Sequence, residues 1–284
     1  MQFFIRIMCD YNKIYYLEEL LPLKFSGAPG KPGLSGFFEK SPDTSRVFVY
    51  DDCTSSLDMA WKLISEKQLN TGDSALCLSQ TRGRGRMGRQ WSTCRGNLMA
   101  AWRIPGPGSR ICSNLLPLIM GYCFRQAFLN LGLSLLIKWP NDLIFDNKKV
   151  GGILIEEKHD KLVAGIGINL AGSPRKSQMR EQSPAQPGHI GPYLPDTDPV
   201  RLWAKLVSRA HFWYQDILND FSVIDFMREI NSNIWLLGEN VRVHSSGEIV
   251  HGILMGIDHE GHLVIEGPSE TVHVSDGTVS RGST

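Results

Sequence analysis

No stretch of this chain approaches the roughly 18 uncharged apolar residues that a bilayer crossing requires, so no membrane-spanning helix is expected. The segment Met1 to Met8 is apolar but short, and Arg6 interrupts it. Lacking a basic n-region and a small-residue cleavage site, it does not read as a signal peptide. An excess of either charge is also missing: 30 Lys and Arg against 29 Asp and Glu leave a net charge of +1. That excludes a global pull toward nucleic acid or anionic membrane, so any basic site must be local. Cysteine is sparse and unpatterned. Cys9, Cys53, Cys77, Cys94, Cys112 and Cys123 form no C-x-x-C pair and no zinc spacing, and none follows residue 123. This predicts reduced, mostly buried thiols in a cytoplasmic protein. Nothing before residue 46 supplies the two helices of a DNA-binding helix-turn-helix.

What is present suits a globular chain of 284 residues with 42% apolar and 21% charged residues, long enough for one sizeable domain and a small one. Residues 1–45 read as an extension of unclear role, with a short helix around Ile14–Leu21 and a Gly/Pro-rich linker from Gly27 to Gly36. From Arg46 to residue 237 strands and helices mix. Val47–Tyr50 reads as a strand, and Asp52 or Thr54 caps a helix carrying Leu57, Trp61, Leu63 and Ile64. Strands follow at Ala75–Leu78 and Asn97–Trp102, then a helix over Cys112–Asn130 and a strand over Leu133–Trp139. A hairpin turns at Asp146–Lys149, and Leu162–Leu170 is a further strand. Residues 171–198 hold five prolines and read as a long irregular loop. Two amphipathic helices follow, the second presenting Ile224, Met227, Ile230 and Ile234. Residues 238–284 change to short alternating strands, as in a small SH3-like barrel. The fold class expected is α+β: a central mixed sheet with helices packed on it, plus a C-terminal SH3-like β-barrel.

The stretch Gln80-Thr81-Arg82-Gly83-Arg84-Gly85-Arg86-Met87-Gly88-Arg89-Gln90-Trp91 sets arginines between glycines. Glycine lets backbone approach a ligand closely, and arginine presents a planar fork to carboxylate or phosphate. Such a loop suits closure over an anion. Other readings compete. Gly83-x-Gly85-x-x-Gly88 fits a dinucleotide fingerprint in letters, yet a strand rather than a helix follows. A kinase-type glycine loop lacks its His-Arg-Asp and Asp-Phe-Gly companions. A disordered nucleic-acid-binding tail and a merely solvated hairpin are the remaining alternatives.

A second stretch narrows the choice. Lys138-Trp139-Pro140-Asn141-Asp142 precedes Lys148-Lys149-Val150-Gly151-Gly152, and its two lysines flank one hairpin, placed to converge. A lone lysine is usually a solvated surface charge. A third stretch, Gly165-Ile166-Gly167-Ile168-Asn169, puts small residues on an apolar strand, which alone signals close packing.

In order and spacing, these stretches together resemble the biotin–protein ligases, from about Arg46 onward. The resemblance implies an ATP-dependent, AMP-forming ligase that makes biotinyl-5′-AMP from biotin and ATP with Mg²⁺. It then transfers biotin to a lysine of a carboxylase's biotin-carrier domain. It implies Lys149, Arg84, Arg86, Lys138 and Asp142 as the groups of the reaction. It implies biotin contacts from Cys53, Thr54, Ser55, Gln80, Gly83, Gly85 and Gly152 beside Arg84, Arg86 and Lys149. For the adenylate it implies Arg84, Arg86, Arg89, Trp91, Lys138, Asn141 and Asn169, with Asn169 near the phosphates and metal. Where the family carries Ser-Thr-Asn, this chain has Cys53-Thr54-Ser55. A monomeric or homodimeric cytoplasmic enzyme is expected, with no DNA and no membrane among its partners. Lipoate or octanoate ligases and transferases share the catalytic fold and form the second reading. A non-enzymatic nucleic-acid binder forms the third, and it requires a basic face beyond one loop.

Overall fold

The apolar runs that read as strands alternate between two buried faces of one sheet. The computed structural model describes residues 13–21, 45–92, 94–108, 111–174, 185–195, 197–220, 222–245 and 247–282. In chain order come β1 (Lys13–Tyr16), α1 (Leu17–Leu20), β2 (Arg46–Cys53), α2 (Ser56–Ser65), β3 (Ser74–Gln80) and β4 (Leu98–Ile104). Next are α3 (Leu116–Leu129), β5 (Leu136–Lys138), β6 (Asp142–Phe145), β7 (Lys148–Lys158), β8 (Lys161–Ile168) and β9 (Gln186–Pro187). They are followed by α4 (Pro199–Asn219) and α5 (Val223–Asn231), then β10 (Asn240–Ser245) and β11 (Glu248–Ile257). Last are β12 (Leu263–Glu266), β13 (Thr271–Val274) and β14 (Thr278–Arg281).

The first sheet runs β1-β2-β3-β4-β8-β7-β6-β5, with β9 beside β7. Only β2–β3 and β7–β9 pair in parallel; the rest are antiparallel. Because successive side chains on a strand point to opposite faces, Val47, Val49, Ala100, Trp102, Ala164 and Ile166 enter one core with α3 and α4. Phe48, Tyr50, Ala75, Ala101 and Val163 enter another, covered by Leu57, Ala60 and Leu63 of α2. The second sheet, β13-β12-β11-β10-β14, is antiparallel throughout. Its Val241, Val243, Leu254, Ile265 and Val279 join the larger core, so the C-terminal strands are packed onto the rest. A mixed sheet with helices and a second, C-terminal antiparallel sheet is the α+β arrangement expected.

Several elements differ from the sequence reading. Ile14–Tyr16 is an edge strand paired with β2, and only one helical turn follows it, with Leu17 buried in the main core. Ser55, rather than Asp52 or Thr54, caps α2, its Oγ accepting the Asp58 N–H at 3.1 Å. The β6–β7 turn is two residues shorter than read. Asp146 and Asn147 adopt φ of 50° and 55°, and β7 already begins at Lys148. Asp and Asn tolerate that left-handed backbone, which suits a two-residue hairpin. On α5, Ile224 is 75% exposed while Phe226 and Ile230 are buried. Met227, Ile230 and Ile234 pack on the core as read, and only Ile224, in the first turn after the Ser222 cap, turns outward. Part of the irregular loop, residues 175–184, lies outside the described residues. The remainder contributes β9 and a 3₁₀ turn at Gly191–Tyr193.

The expectation of reduced, buried thiols is also corrected. Cys53 and Cys77 form a disulfide, Cys94 and Cys112 are exposed, and Cys123 is buried. Cys53 ends β2, Cys77 lies in the neighbouring β3, and their Cα atoms are 6.3 Å apart, within disulfide range. Their separation of 24 residues left no local signal. Cys9 lies outside the described residues.

Candidate active site

The site grows from three glycines. On the α2 face of the sheet, a Cβ at Gly165 would come within 2.8 Å of Leu57 Cδ1, so only glycine lets α2 lie this close. A Cβ at Gly167 would meet Trp91 Cε2 at 2.6 Å, and one at Gly152 would meet Trp91 Cζ3 at 3.0 Å. The two bare backbones thus make room for the indole that ends the arginine loop. Above them opens a cavity of ≈ 610 Å³, within the usual range for a small-molecule site.

Ser55, Ser56 and Gln80 line the side of this cavity nearest α2. Gln80 Oε1 accepts the Ser56 N–H at 3.1 Å, which fixes its amide at the start of the helix. The arginine loop lines another side through Arg84, Gly85, Arg86, Arg89 and Trp91. It folds back as a tight turn: Gly85 N–H donates to Arg89 C=O at 2.7 Å, and Trp91 N–H to Gly83 C=O at 2.8 Å.

The arginines differ in what they hold. Arg84 is committed within the protein, its guanidinium 2.6 Å from Asp58 Oδ1 and 2.7 Å from Glu156 Oε1, with a further bond to Ser55 Oγ. The bond to Glu156 leads in pushing its pKa up, so it stays charged. The Arg86 side chain makes no ion pair or hydrogen bond among the described residues. Burial pulls its pKa down, partly offset by the fields of Asp142 and Asp276. Arg89 rests only on Met87 Sδ and on Thr278 Oγ1 at 3.5 Å.

The opposite side is the lysine hairpin. β5 and β6 pair Lys138 with Asp142, and β6 pairs Asp142 with Gly152 on β7. Asp142 Oδ1 lies 2.6 Å from Lys149 Nζ and Oδ2 lies 3.3 Å from Lys138 Nζ. Burial alone would raise the Asp142 pKa, but the two ammoniums overrule it and hold the carboxyl below its usual range. Burial lowers the Lys138 pKa against the pull of Asp142. Lys138 is 4% exposed at its side chain and Lys149 30%, so Lys149 is the more open of the two. Its Nζ also sits 5.3 Å from the Trp91 ring centre. Asn141 braces the hairpin, its Nδ2 donating to Ile153 C=O at 2.6 Å.

Four expected residues do not line the cavity. Cys53 is turned to Cys77 and is thereby removed as a ring contact. Thr54 accepts the Arg82 N–H at its C=O, at 2.7 Å. Gly83 lies behind Gln80, with no room for a Cβ. Asn169 is buried, donating to Gly188 C=O at 2.9 Å, while its Oδ1 has no hydrogen-bond partner. Sequence reasoning missed Asp58 and Glu156, which hold Arg84 from 26 and 72 residues away. It also missed His244, Gly277 and Thr278, by which the C-terminal sheet closes the cavity. The alternation marking those strands says nothing about which of their ends faces another part of the chain.

Cations of two lysines and two arginines converge on a cavity with an uncharged glycine floor. This arrangement suits the joining of two anions. Comparison with known proteins agrees. The profile of the Biotin/lipoate A/B protein ligase family matches residues 50–173, and that of the Biotin protein ligase C terminal domain matches 236–282. The biotin–[acetyl-CoA-carboxylase] ligase of Paracoccus denitrificans is 29% identical over 210 residues, covering 68% of this chain and 84% of that one. The corresponding ligase of Mycobacterium tuberculosis is 28% identical over 218 residues, covering 70% and 75%. Among solved structures, Aquifex aeolicus biotin protein ligase in complex with biotin and ATP superposes with a TM-score of 0.69 at 25% identity, covering 83% of this chain and 99% of that one. With both profiles matched in their order along the chain, this protein belongs to the biotin protein ligase family.

Proposed function

We propose that this chain joins biotin to ATP as biotinyl-5′-AMP and then passes the biotinyl group to one lysine of a carboxylase's biotin-carrier domain. The observation that carries the reading is the Lys138–Asp142–Lys149 arrangement facing an uncommitted Arg86 across a glycine-floored cavity. In the first step a biotin carboxylate oxygen bonds to the α-phosphorus, and the bond from that phosphorus to the bridging oxygen breaks, releasing pyrophosphate. Two anions must meet, so positive charge has to wait in place in a site shielded from water. Asp142 keeps the two lysines close despite their repulsion, and Lys149 reaches the carboxylate and α-phosphate together. Arg86 and Arg89 close on the adenylate, while Arg84 braces the loop through Asp58 and Glu156. Ser55 and Gln80 offer polar groups to the ureido ring, and Gly152 with Trp91 gives its body an apolar wall. In the second step the neutral acceptor amine attacks the acyl carbon. AMP departs and a proton is lost, leaving an amide.

Magnesium fits here as the companion of the triphosphate. Asp142 already gives both oxygens to lysines and the buried Asn169 stands outside the cavity lining, so magnesium would be held mainly through the ATP phosphates. Bound there, the ion would neutralise phosphate charge. The reading includes a cytoplasmic location and a monomeric or homodimeric state. No helix among the described residues is long and apolar enough to cross a membrane. Exchange of labelled pyrophosphate into ATP tests the activity: it should require biotin, and lipoate should not replace it. Exchange supported by lipoate alone would favour the lipoate-type reading.

A further inference from the structure

The turn between β11 and β12 carries polar side chains that ligase chemistry leaves unused. Asp258 opens the turn, and its Oδ1 accepts the backbone N–H groups of Glu260 and His262, both at 2.9 Å. With that oxygen occupied, Oδ2 serves two imidazoles. Nδ1 of His273, reaching over from β13, lies 2.7 Å from it, and Nδ1 of His262 lies 3.3 Å from it. Glu260 Oε2 stands 3.5 Å from the same His262 nitrogen. The Asp258, His262 and His273 ligand atoms all lie within 4.8 Å of one another. Burial opposes ionisation of Asp258, yet His273 and the two backbone N–H groups keep its carboxyl below the usual range.

We propose that Asp258, His262 and His273 form a binding site for a divalent transition metal of the zinc class, into which the exposed Glu260 side chain beside His262 swings as fourth ligand. Two imidazoles beside carboxylate oxygens suit such an ion better than magnesium, which takes oxygen ligands in an octahedron. The spacing agrees. Zinc bonds of about 2.0–2.1 Å in a tetrahedron separate neighbouring ligand atoms by roughly 3.3–3.4 Å. The His262–Asp258 edge at 3.3 Å and the His262–Glu260 edge at 3.5 Å already have that length. The His273–Asp258 edge must open from 2.7 Å, and the His273 side chain, 51% exposed, has space to shift. When the ion enters, each neutral imidazole carries its proton on Nε2 and turns a lone pair on Nδ1 inward. The backbone bonds to Asp258 Oδ1 act as the outer support that orients a ligating carboxylate.

The place of the site gives it a consequence. Gly261, inside the same turn, has its carbonyl accepting the Trp139 indole N–H at 2.9 Å, next to Lys138 in the chain. A Cβ on Gly261 would meet Asn114 O at 3.2 Å, so the turn is pressed against the segment that leads into α3. A metal linking this turn to β13 therefore fastens the C-terminal sheet where it touches the lysine hairpin.

Titration of the metal-free full chain with zinc chloride, without nucleotide, tests the proposal. One zinc ion per chain should bind with a Kd on the order of 10 µM or tighter and raise Tm. Cobalt(II) at the same site should give the visible absorption of a four- or five-coordinate ion. His273→Gln and His262→Gln should each weaken binding at least about tenfold. The His273→Gln chain, altered at an exposed position, should keep its metal-free Tm and its biotin-dependent pyrophosphate exchange. Equal zinc affinity in wild type and in both variants, or no saturable binding up to about 100 µM, would overturn the site and leave a hydrogen-bonded hub.

Discussion

Two lysines, one carboxylate and an arginine with no partner decide the chemistry at the scale of single residues. Lys149 is the more exposed member of the lysine pair, which makes it the one proposed to act where the carboxylate and phosphate meet. Lys149→Ala should cut adenylate formation by roughly 100-fold, about 3 kcal/mol of lost electrostatic stabilisation. Biotin affinity should fall less, since a charge that matters most in the transition state contributes less to ground-state binding. Supplying ready-made biotinyl-adenylate should restore part of the transfer. Pyrophosphate exchange, biotin titration and acceptor labelling read the three effects. Near-normal exchange in the variant would move the role to Lys138. The arginines show how far single residues could be read from sequence. A loop suited to anions between residues 82 and 89 was one of several readings that its letters allowed. The division of labour within it was hidden, because the carboxylates holding Arg84 lie 26 and 72 residues away and reach it only through folding.

Among the elements, β8 and β1 carry the sharpest expectations. β8 presents its glycines to the cavity face. Gly167→Ala would place a methyl group against Trp91, whose nearest atom is 2.6 Å from that position. The indole has to leave the floor, and biotin binding should weaken by roughly tenfold or more as a core-like contact is overpacked. Calorimetry measures the affinity, and tryptophan fluorescence reports the displaced ring. At the other end, β1 was read as part of a peripheral extension, yet it pairs with β2 and is followed by buried Leu17. Leu17→Ala should destabilise the fold by about 2–5 kcal/mol in urea unfolding, as buried leucines do. Removal of residues 1–12 should leave stability unchanged, whereas removal of 1–21 should not. The C-terminal strands were legible as a run of short alternating strands, an alternation that the buried residues of β10 and β12 keep. β1 was the least legible. Four residues carry too little pattern, and a tyrosine pair beside leucines suits either period.

For the molecule as a whole, the carboxylates set the response to acid. Burial alone would raise the pKa values of Asp58, Asp142, Glu156 and Asp258, but hydrogen bonds and neighbouring cations leave all four below their reference values of 3.8 and 4.5. A carboxyl whose pKa is lower folded than unfolded binds fewer protons in the native state. Its contribution is therefore complete above the unfolded value and disappears as pH falls through the folded one. The urea midpoint should drift down from about pH 7, because burial lowers the His211 pKa and the unfolded chain takes up that proton first, and should fall steeply below about pH 4. A midpoint unchanged at pH 3 would show that these groups are not strained toward ionisation by the fold. Legibility ends at this scale, because Asp142 lies in a visible motif while Asp58 and Glu156 acquire their roles only from the packed whole.

The closing of the cavity by the C-terminal sheet has a consequence in time. A mixed anhydride of a carboxylic acid and AMP reacts with water as well as with amines, so its fate is a race between hydrolysis and transfer. One rim of the cavity is the arginine loop and the facing rim is His244, Gly277 and Thr278, with Arg89 and Thr278 meeting across 189 residues of chain. The proposed intermediate would form between these two rims, so its shelter from water depends on two distant parts of the polypeptide at once.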